Sequence, residues 1–593
     1  MPATVKPFIL RGFNGRNGAS PENIKETQFQ TLQNWYTKNN VLVPRAGMAP
    51  LTNIAYGGEK ITGLFFYSPS YSSYKLIAAC ADSIAVKDGS TFSALPSTSG
   101  TTITDADTLW VAKQYKNTLY LVRPDLGVVM RCDGTTVGDV GIAAPGTAAT
   151  GAEGAAGALE AGDYEFVVTF YNTVTGAESD PSPVGTVTVG ASKSIDYSAI
   201  PVSTNPQVNA RKIYRSLIDQ AGEWFHVATI SDNVTTTYSS EDLELDEMGF
   251  PAEAVHGIPP TGIKNLTTHQ ERMWYHDGRF LYYSEIGLPE SVRATSSLDI
   301  NADDGYLMTG LISFGETLLV MKQNAIYYVS GSDEQSFIKR VLHDKHGCAS
   351  AASVAISENL CFWFGGDNFY ISDGAKVEAI GTEEVQDIVS SISASDYGLV
   401  TGETNPEEGW YMVSIPSSGA VSYWLVYCYR TGDWFTFSFQ SSKTPTFISR
   451  VPDENGNTVL YCALENDDGL VYTFLSGVDD AGTSIVYTLK SKNYGFGTED
   501  TMKFMKDIQL LINTTGVAED ITVSLYADDS LVAKDTASFN TFGNKMWKRI
   551  PLANNGDLGT FMSLGVTYTG DSNFFIMGLG FKIVDTGRQV PVL

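Results

Sequence analysis

Histidine, cysteine and paired carboxylates are the side chains with which this chain could hold a metal or break a bond. The histidines are His226, His256, His269, His276, His343 and His346. None falls in an HExxH arrangement, which would put two imidazoles on one helix face for zinc. His343 and His346 lie three apart in a polar loop. A metal there would need at least one further ligand, so they read as surface histidines. Cys80, Cys132, Cys348, Cys361, Cys428 and Cys462 are scattered, with no CxxC pair. Most stand beside apolar strand residues, as in Leu360-Cys361-Phe362-Trp363, and read as buried free thiols. Carboxylates are paired at Asp303-Asp304, Asp467-Asp468, Asp479-Asp480 and Asp528-Asp529. A glycosidase holds two carboxyl groups ~5–9 Å apart across its sugar. These pairs stand beside Gly or Ala at hairpin tips, and solvated turns are the expectation.

The remaining motifs are incomplete. Asp453-Glu454-Asn455-Gly456-Asn457 opens like a calcium loop but lacks the glycine and the glutamate that such a loop needs further on. Lys87-Asp88-Gly89-Ser90-Thr91-Phe92 approaches the Asp-box of sialidases with its spacing off by one. The Gly-rich stretch Gly151 to Gly157 ends without the lysine of a phosphate loop, and no GxSxG elbow is present. The expectation is a protein that is not an enzyme, with no catalytic residue, no cofactor and no metal.

What must position these residues is a repeated unit of strand, turn and strand. It recurs at Ile84–Gly89, Val129–Gly134, Trp274–Gly278, Leu319–Asn324, Tyr370–Gly374, Tyr429–Asp433 and Glu465–Gly469. Successive turns are separated by 45, 144, 46, 50, 59 and 36 residues. A period near 45 with four strands per unit marks the blades of a β-propeller, here six to eight. The interval of 144 holds one blade and about 100 further residues, a domain-sized insertion.

Tyr 30, Phe 29 and Trp 9 favour pleated sheet, and Gly 56 supplies tight turns. No run approaches the ~18 apolar residues of a membrane-spanning helix, and Met1–Pro7 lacks the apolar core of a secretory signal; synthesis in a cytoplasm is expected. The net charge of −28 is uneven: +4 over 1–50, −1 over 51–144, −12 over 145–255, −18 over 256–489 and −1 over 490–593. Proteins that hold nucleic acid gain affinity from basic patches, and the later blades carry the opposite sign.

The expected organisation is all-β. An N-terminal docking segment (1–50) opens the chain, with Ser20-Pro21-Glu22 as a start for a short helix running through Gln28 to Trp35. The propeller occupies 51–144 and 256–490. A fibronectin type III or immunoglobulin-like β-sandwich is inserted at 145–255, entered through a Gly/Ala linker (143–158) and left through the acidic run Glu241–Glu247. A separate small β-sandwich closes the chain over 491–593.

Three groups of residues resemble the tail-nozzle proteins of short-tailed bacteriophages, the family of tail tubular protein B and of packaged-DNA stabilisation proteins. Asn17-Gly18-Ala19-Ser20-Pro21-Glu22-Asn23-Ile24, Leu32-Gln33-Asn34 and Val43-Pro44-Arg45-Ala46-Gly47 are similar to that family's opening. Tyr115-Lys116-Asn117-Thr118-Leu119-Tyr120-Leu121, Cys132-Asp133-Gly134 and Ala144-Pro145 resemble its early blades. Glu178-Ser179-Asp180-Pro181-Ser182 and Arg211–Arg215 resemble fibronectin-like modules of phage structural proteins. The resemblance implies a virion protein in the tail, made in the host cytoplasm. It would form a homo-oligomeric, hexameric ring below the portal–adaptor complex. The ring would retain packaged double-stranded DNA without specific binding, conduct it at ejection, and contact tail fibres or tailspikes. Arg11, Arg16 and Arg45 of the +4 opening are the expected adaptor-docking residues. A receptor- or glycan-binding propeller is the alternative, with a glycan-cleaving one behind it.

Overall fold

The computed structural model describes residues 5–589 apart from 52–59, 71–72, 90, 99–100, 241–256, 382, 441, 454, 466–468, 498–500, 515–518, 542–545, 552–557 and 571–573. Seven four-stranded antiparallel blades occupy 61–94, 111–139, 265–299, 308–343, 355–379, 402–438 and 445–474. The first strand of each blade adjoins the first strand or entering turn of the next, and that of blade 7 (Pro445–Pro452) returns to that of blade 1 (Ile61–Ser70), so the ring is closed. Blade 7 takes three strands from its own sequence. Its outermost strand is Met48–Pro50, paired with Tyr472–Phe474. The chain's start therefore fastens the last blade.

Both faces of the middle strands are buried between neighbouring blades, which explains why these strands are continuously apolar instead of alternating. In Thr317–Lys322 of blade 4, Leu318 and Val320 pack with Trp274 and Leu281 of blade 3, while Leu319 and Met321 pack with Cys361 and Trp363 of blade 5. The same period of two separates Leu119 and Leu121, which face blade 1, from Tyr120 and Val122, which face blade 3. All six cysteines are buried and none is in a disulfide. Asp133, Asp277 and Asp373 fold their turns by accepting backbone N–H bonds from the residues two and three ahead. The repeated unit turns out to be of two kinds. Gly89, Gly134, Gly374 and Gly432 join third to fourth strands, whereas Gly278 and Asn324 join second to third. Mixing the two makes the sequence intervals irregular. The first strands begin at 61, 111, 265, 308, 355, 402 and 445, nearly even apart from the insertion.

Between blades 2 and 3 stands the inserted sandwich, a three-stranded sheet (Thr150–Leu159, Lys193–Ser198, Tyr238–Ser239) on a four-stranded one (Gly162–Tyr171, Gly185–Val189, Ala210–Arg215, Phe225–Ile230). Phe166, Val168, Ile195, Tyr197 and Ile213 fill its core. Where Gly185–Val189 stops pairing, Ser182 and Ser179 replace it, their hydroxyls accepting the Val168 and Phe170 N–H groups at 3.1 and 2.9 Å. The Gly/Ala stretch expected as a linker is instead the first strand of this sandwich. Its glycines are needed for close packing: a Cβ on Gly151 would lie 2.7 Å from the Phe166 ring. The acidic run Glu241–Glu247 lies outside the described residues.

The two chain ends fold together. Phe29–Gln33, Ile485–Ser491, Glu519–Ala527, Asp535–Thr541 and Met562–Gly570 form one sheet. Val5–Leu10, Trp35–Lys38, Val41–Pro44, Thr501–Thr514, Met546–Pro551 and Phe574–Gln589 belong to the facing sheet. Trp35, Leu489, Leu510, Val523, Leu564 and Phe581 pack between them. The first sheet continues into blade 6, because Phe29–Gln33 also pairs with Asp433–Ser438. Two expectations are thus corrected. The described part of 1–50 is not a separate segment but supplies strands to the terminal sandwich and to blade 7. The stretch expected as a helix from Ser20 to Trp35 consists of turns followed by strand, because Phe29, Leu32 and Trp35 are fully buried in a sheet that the rest of the chain has already built.

Candidate functional site

Arg45, one of the expected docking residues, is instead turned into the interior of the chain. It is fully buried, and its five N–H donors meet five acceptors. Nε donates to Asn34 Oδ1 at 2.8 Å, Nη1 to Ala46 O at 3.1 Å and Asp480 Oδ1 at 2.8 Å, and Nη2 to Ser438 O at 2.8 Å and Asp480 Oδ2 at 2.6 Å. The guanidinium also lies 4.4 Å from the Phe439 ring. Asn34, at φ 63°, accepts the Ser438 N–H at 2.8 Å and donates to Val486 O at 2.7 Å. Gly47 runs so close to the next turn that a Cβ would stand 1.8 Å from Asp479 O. The Leu32-Gln33-Asn34 and Pro44-Arg45-Ala46-Gly47 motifs therefore weld the opening of the chain to blade 6, blade 7 and the terminal sandwich.

Arg16 is corrected in the same way. It is mostly buried and donates to Glu384 O at 2.8 Å and to Asp387. Arg11 alone of the three is exposed. It lies 6.0 Å from the ring of Trp547, which is 39% exposed, next to Ile9, which is 53% exposed.

The carboxylate pairs are distributed rather than gathered. Asp480 is 1% exposed as the partner of Arg45, which overturns its expectation as a solvated turn. Asp304 receives the buried Lys322 ammonium at 2.7 Å, and Asp528 accepts the Thr560 and Phe561 N–H groups. Asp467-Asp468 lie outside the described residues, as do parts of the 453–457 and 87–92 motifs. His343 and His346 are half-buried, not free on the surface. Their rings are 5.2 Å apart, and His346 stacks on Tyr370 and bonds Asp367 at 3.0 Å. Among the described residues no group of three His, Cys, Asp or Glu is placed to hold a metal.

A channel of about 520 Å3 runs between the first strands of the blades. Lys113 and Glu403 project into it. Glu403 accepts the Thr404 and Arg450 N–H groups at 2.8 and 3.0 Å. Lys113 is open to water within the channel yet surrounded by protein, and this enclosure lowers its pKa while the same effect raises that of Glu403. Each charge opposes the other's shift. Among the described residues Glu403 is the one carboxylate lining the channel, so it has no second acid across a substrate-sized gap. Nothing in the sequence marks either residue, because strands 290 residues apart meet only when the ring closes.

Fold and channel define a seven-bladed propeller protein with an inserted and a terminal sandwich. No protein-family model and no curated protein sequence matches the chain. Among solved structures, it is similar to apo AztD from Citrobacter koseri at 10% identity, over 74% of this chain and 96% of that one, with a TM-score of 0.26. It is also similar to the Pan2 WD40 domain of Neurospora crassa at 5% identity, over 49% and 87%, with a TM-score of 0.24.

Proposed function

We propose that the chain is a structural virion protein, the tail nozzle of a short-tailed bacteriophage. Six copies form a ring that continues the portal–adaptor channel, retains packaged DNA and conducts it at ejection. One observation carries the reading. The opening motifs that resemble the nozzle family are the residues that weld both chain ends to the propeller through Arg45, Asn34 and Gly47. The resemblance therefore lies in an architectural joint, not in scattered surface positions. The charge of −28 suits a conduit wall, since like charge keeps a phosphate backbone from adhering. In this reading the inserted domain, standing outside the ring of blades, faces tail fibres or tailspikes. Adaptor docking falls on the sandwich surface around Arg11 and Trp547.

The test is negative-stain imaging and native mass of the purified chain, alone and with portal–adaptor complexes. Rings with a central hole on the adaptor are expected. Arg11→Glu should weaken attachment while leaving the fold intact. A monomer that ignores the adaptor would overturn the reading.

A further inference from the structure

The turn Tyr115-Lys116-Asn117-Thr118 takes no part in closing the ring. It lines a cleft of about 250 Å3 between blade 2, the 287–291 loop of blade 3 and the 174–178 turn of the inserted domain. Junctions between domains are where small-ligand sites concentrate, and the volume lies just below their ~300–1,000 Å3 range, room for a single small ring.

The polar floor of the cleft is fixed from both sides. Glu290 is 6% exposed, with Oε1 accepting the Tyr120 hydroxyl at 3.1 Å and Oε2 the Gly141 N–H at 3.0 Å. The Arg131 guanidinium stands 3.8 Å from Glu290, and its Nη1 donates to Gln207 Oε1 of the inserted domain at 2.6 Å. Gln207 Nε2 returns a bond to Asp139 O at 2.5 Å. At the rim, Lys116 Nζ donates to Gly287 O at 3.1 Å. Asn117 is exposed, and among the described residues its side-chain amide has no partner. Ile142, Leu288 and Pro289 supply an apolar wall.

This mixture selects a ligand chemistry. A free anion would meet the acids Asp133, Glu178 and Glu290 of the lining, and a free cation would meet Arg131 and Lys116. A neutral molecule with adjacent hydroxyls, each able to donate and accept, can use the Asn117 amide and the Arg131 fork together. Its C–H face can lie on the apolar wall. We propose that this cleft binds a neutral saccharide, one pyranose of a glycan. The proposal goes beyond the conduit reading and does not rest on it.

Saturation-transfer NMR of the full chain tests the proposal. The probes are the methyl glycosides of glucose, galactose, mannose, rhamnose, N-acetylglucosamine and N-acetylgalactosamine. Transfer to the ring C–H protons of at least one is expected, with about tenfold weaker binding in Asn117→Ala and in Arg131→Lys, the scale of one lost polar contact. Asp303→Ala, at a distant exposed turn, should bind as the parent does. Asn117→Ala alters an exposed turn, so it keeps the test valid if Arg131→Lys loosens the inserted domain. No transfer from any of the six glycosides, or binding unchanged in both cleft variants, would overturn the proposal.

Discussion

At the scale of the residue, burial and satisfaction decide what each charge can do. Arg45 and Asp480 are both removed from water, and their mutual bonds with those to Asn34 and Ser438 offset that cost. Arg45→Ala leaves Asp480 buried without a counter-charge. We expect a loss of about 3–5 kcal/mol in denaturant unfolding, against a small change for Arg11→Ala at the exposed edge. Equal losses for the two would contradict the weld. His276 is a second case. It is fully buried in blade 3, and burial lowers its pKa from 6.5 to about 4. The folded state thus binds fewer protons than the unfolded state between those values, so acid favours unfolding there. Stability should fall by about 3 kcal/mol from pH 6.5 to pH 4 on account of this group and should be insensitive to it above pH 7. In His276→Gln that part of the slope should vanish. An unchanged slope in the variant would assign the acid sensitivity to other groups.

At the scale of the element, the propeller is a ring whose last blade is completed by the chain's first tenth. Gly47 is the narrowest point of that closure, because Asp479 backbone atoms occupy the space a side chain would take. Gly47→Val must displace backbone on one side or the other, at about 1–3 kcal/mol or more. Its effect should be local: Met48–Pro50 leaves the edge of blade 7 and proteolysis begins near residue 50, ahead of global unfolding. Protection equal to the parent's would show that the strand closes without Gly47. The blades and the inserted strands were legible in the sequence because turn chemistry is local, as in the Asp133, Asp277 and Asp373 turns. The joint was not. Phe29–Gln33 is a strand because Ile485–Ser491 and Asp433–Ser438 flank it, and local capping signals at Ser20-Pro21 pointed to a helix. Asp479-Asp480 looked like a turn, since Arg45 lies 435 residues away. The two sides of the 250 Å3 cleft were equally invisible, as they come from three separate stretches of chain.

At the scale of the whole molecule, the charge of −28 would set how copies meet in the proposed ring and how such a ring meets DNA. In the proposed ring, six such subunits would repel one another over a distance set by salt, ~30 Å at 0.01 M and ~8 Å at 0.15 M. If apolar packing between subunits holds the ring, screening removes the repulsion and leaves the apolar contact. Sedimentation should then show rings, free or on the adaptor, favoured at 0.5 M salt over 0.02 M. The opposite trend would mean that ion pairs hold the assembly and that the acidic surface is itself the interface. The same titration read with duplex DNA separates a conduit from a binder. A protein that neutralises phosphates loses affinity steeply as salt rises, whereas an acidic wall shows no retention at low salt, where repulsion reaches furthest. Retention at 0.02 M that disappears by 0.2 M would sink the acidic-wall reading even if rings form, because it would mean that basic side chains neutralise phosphates there.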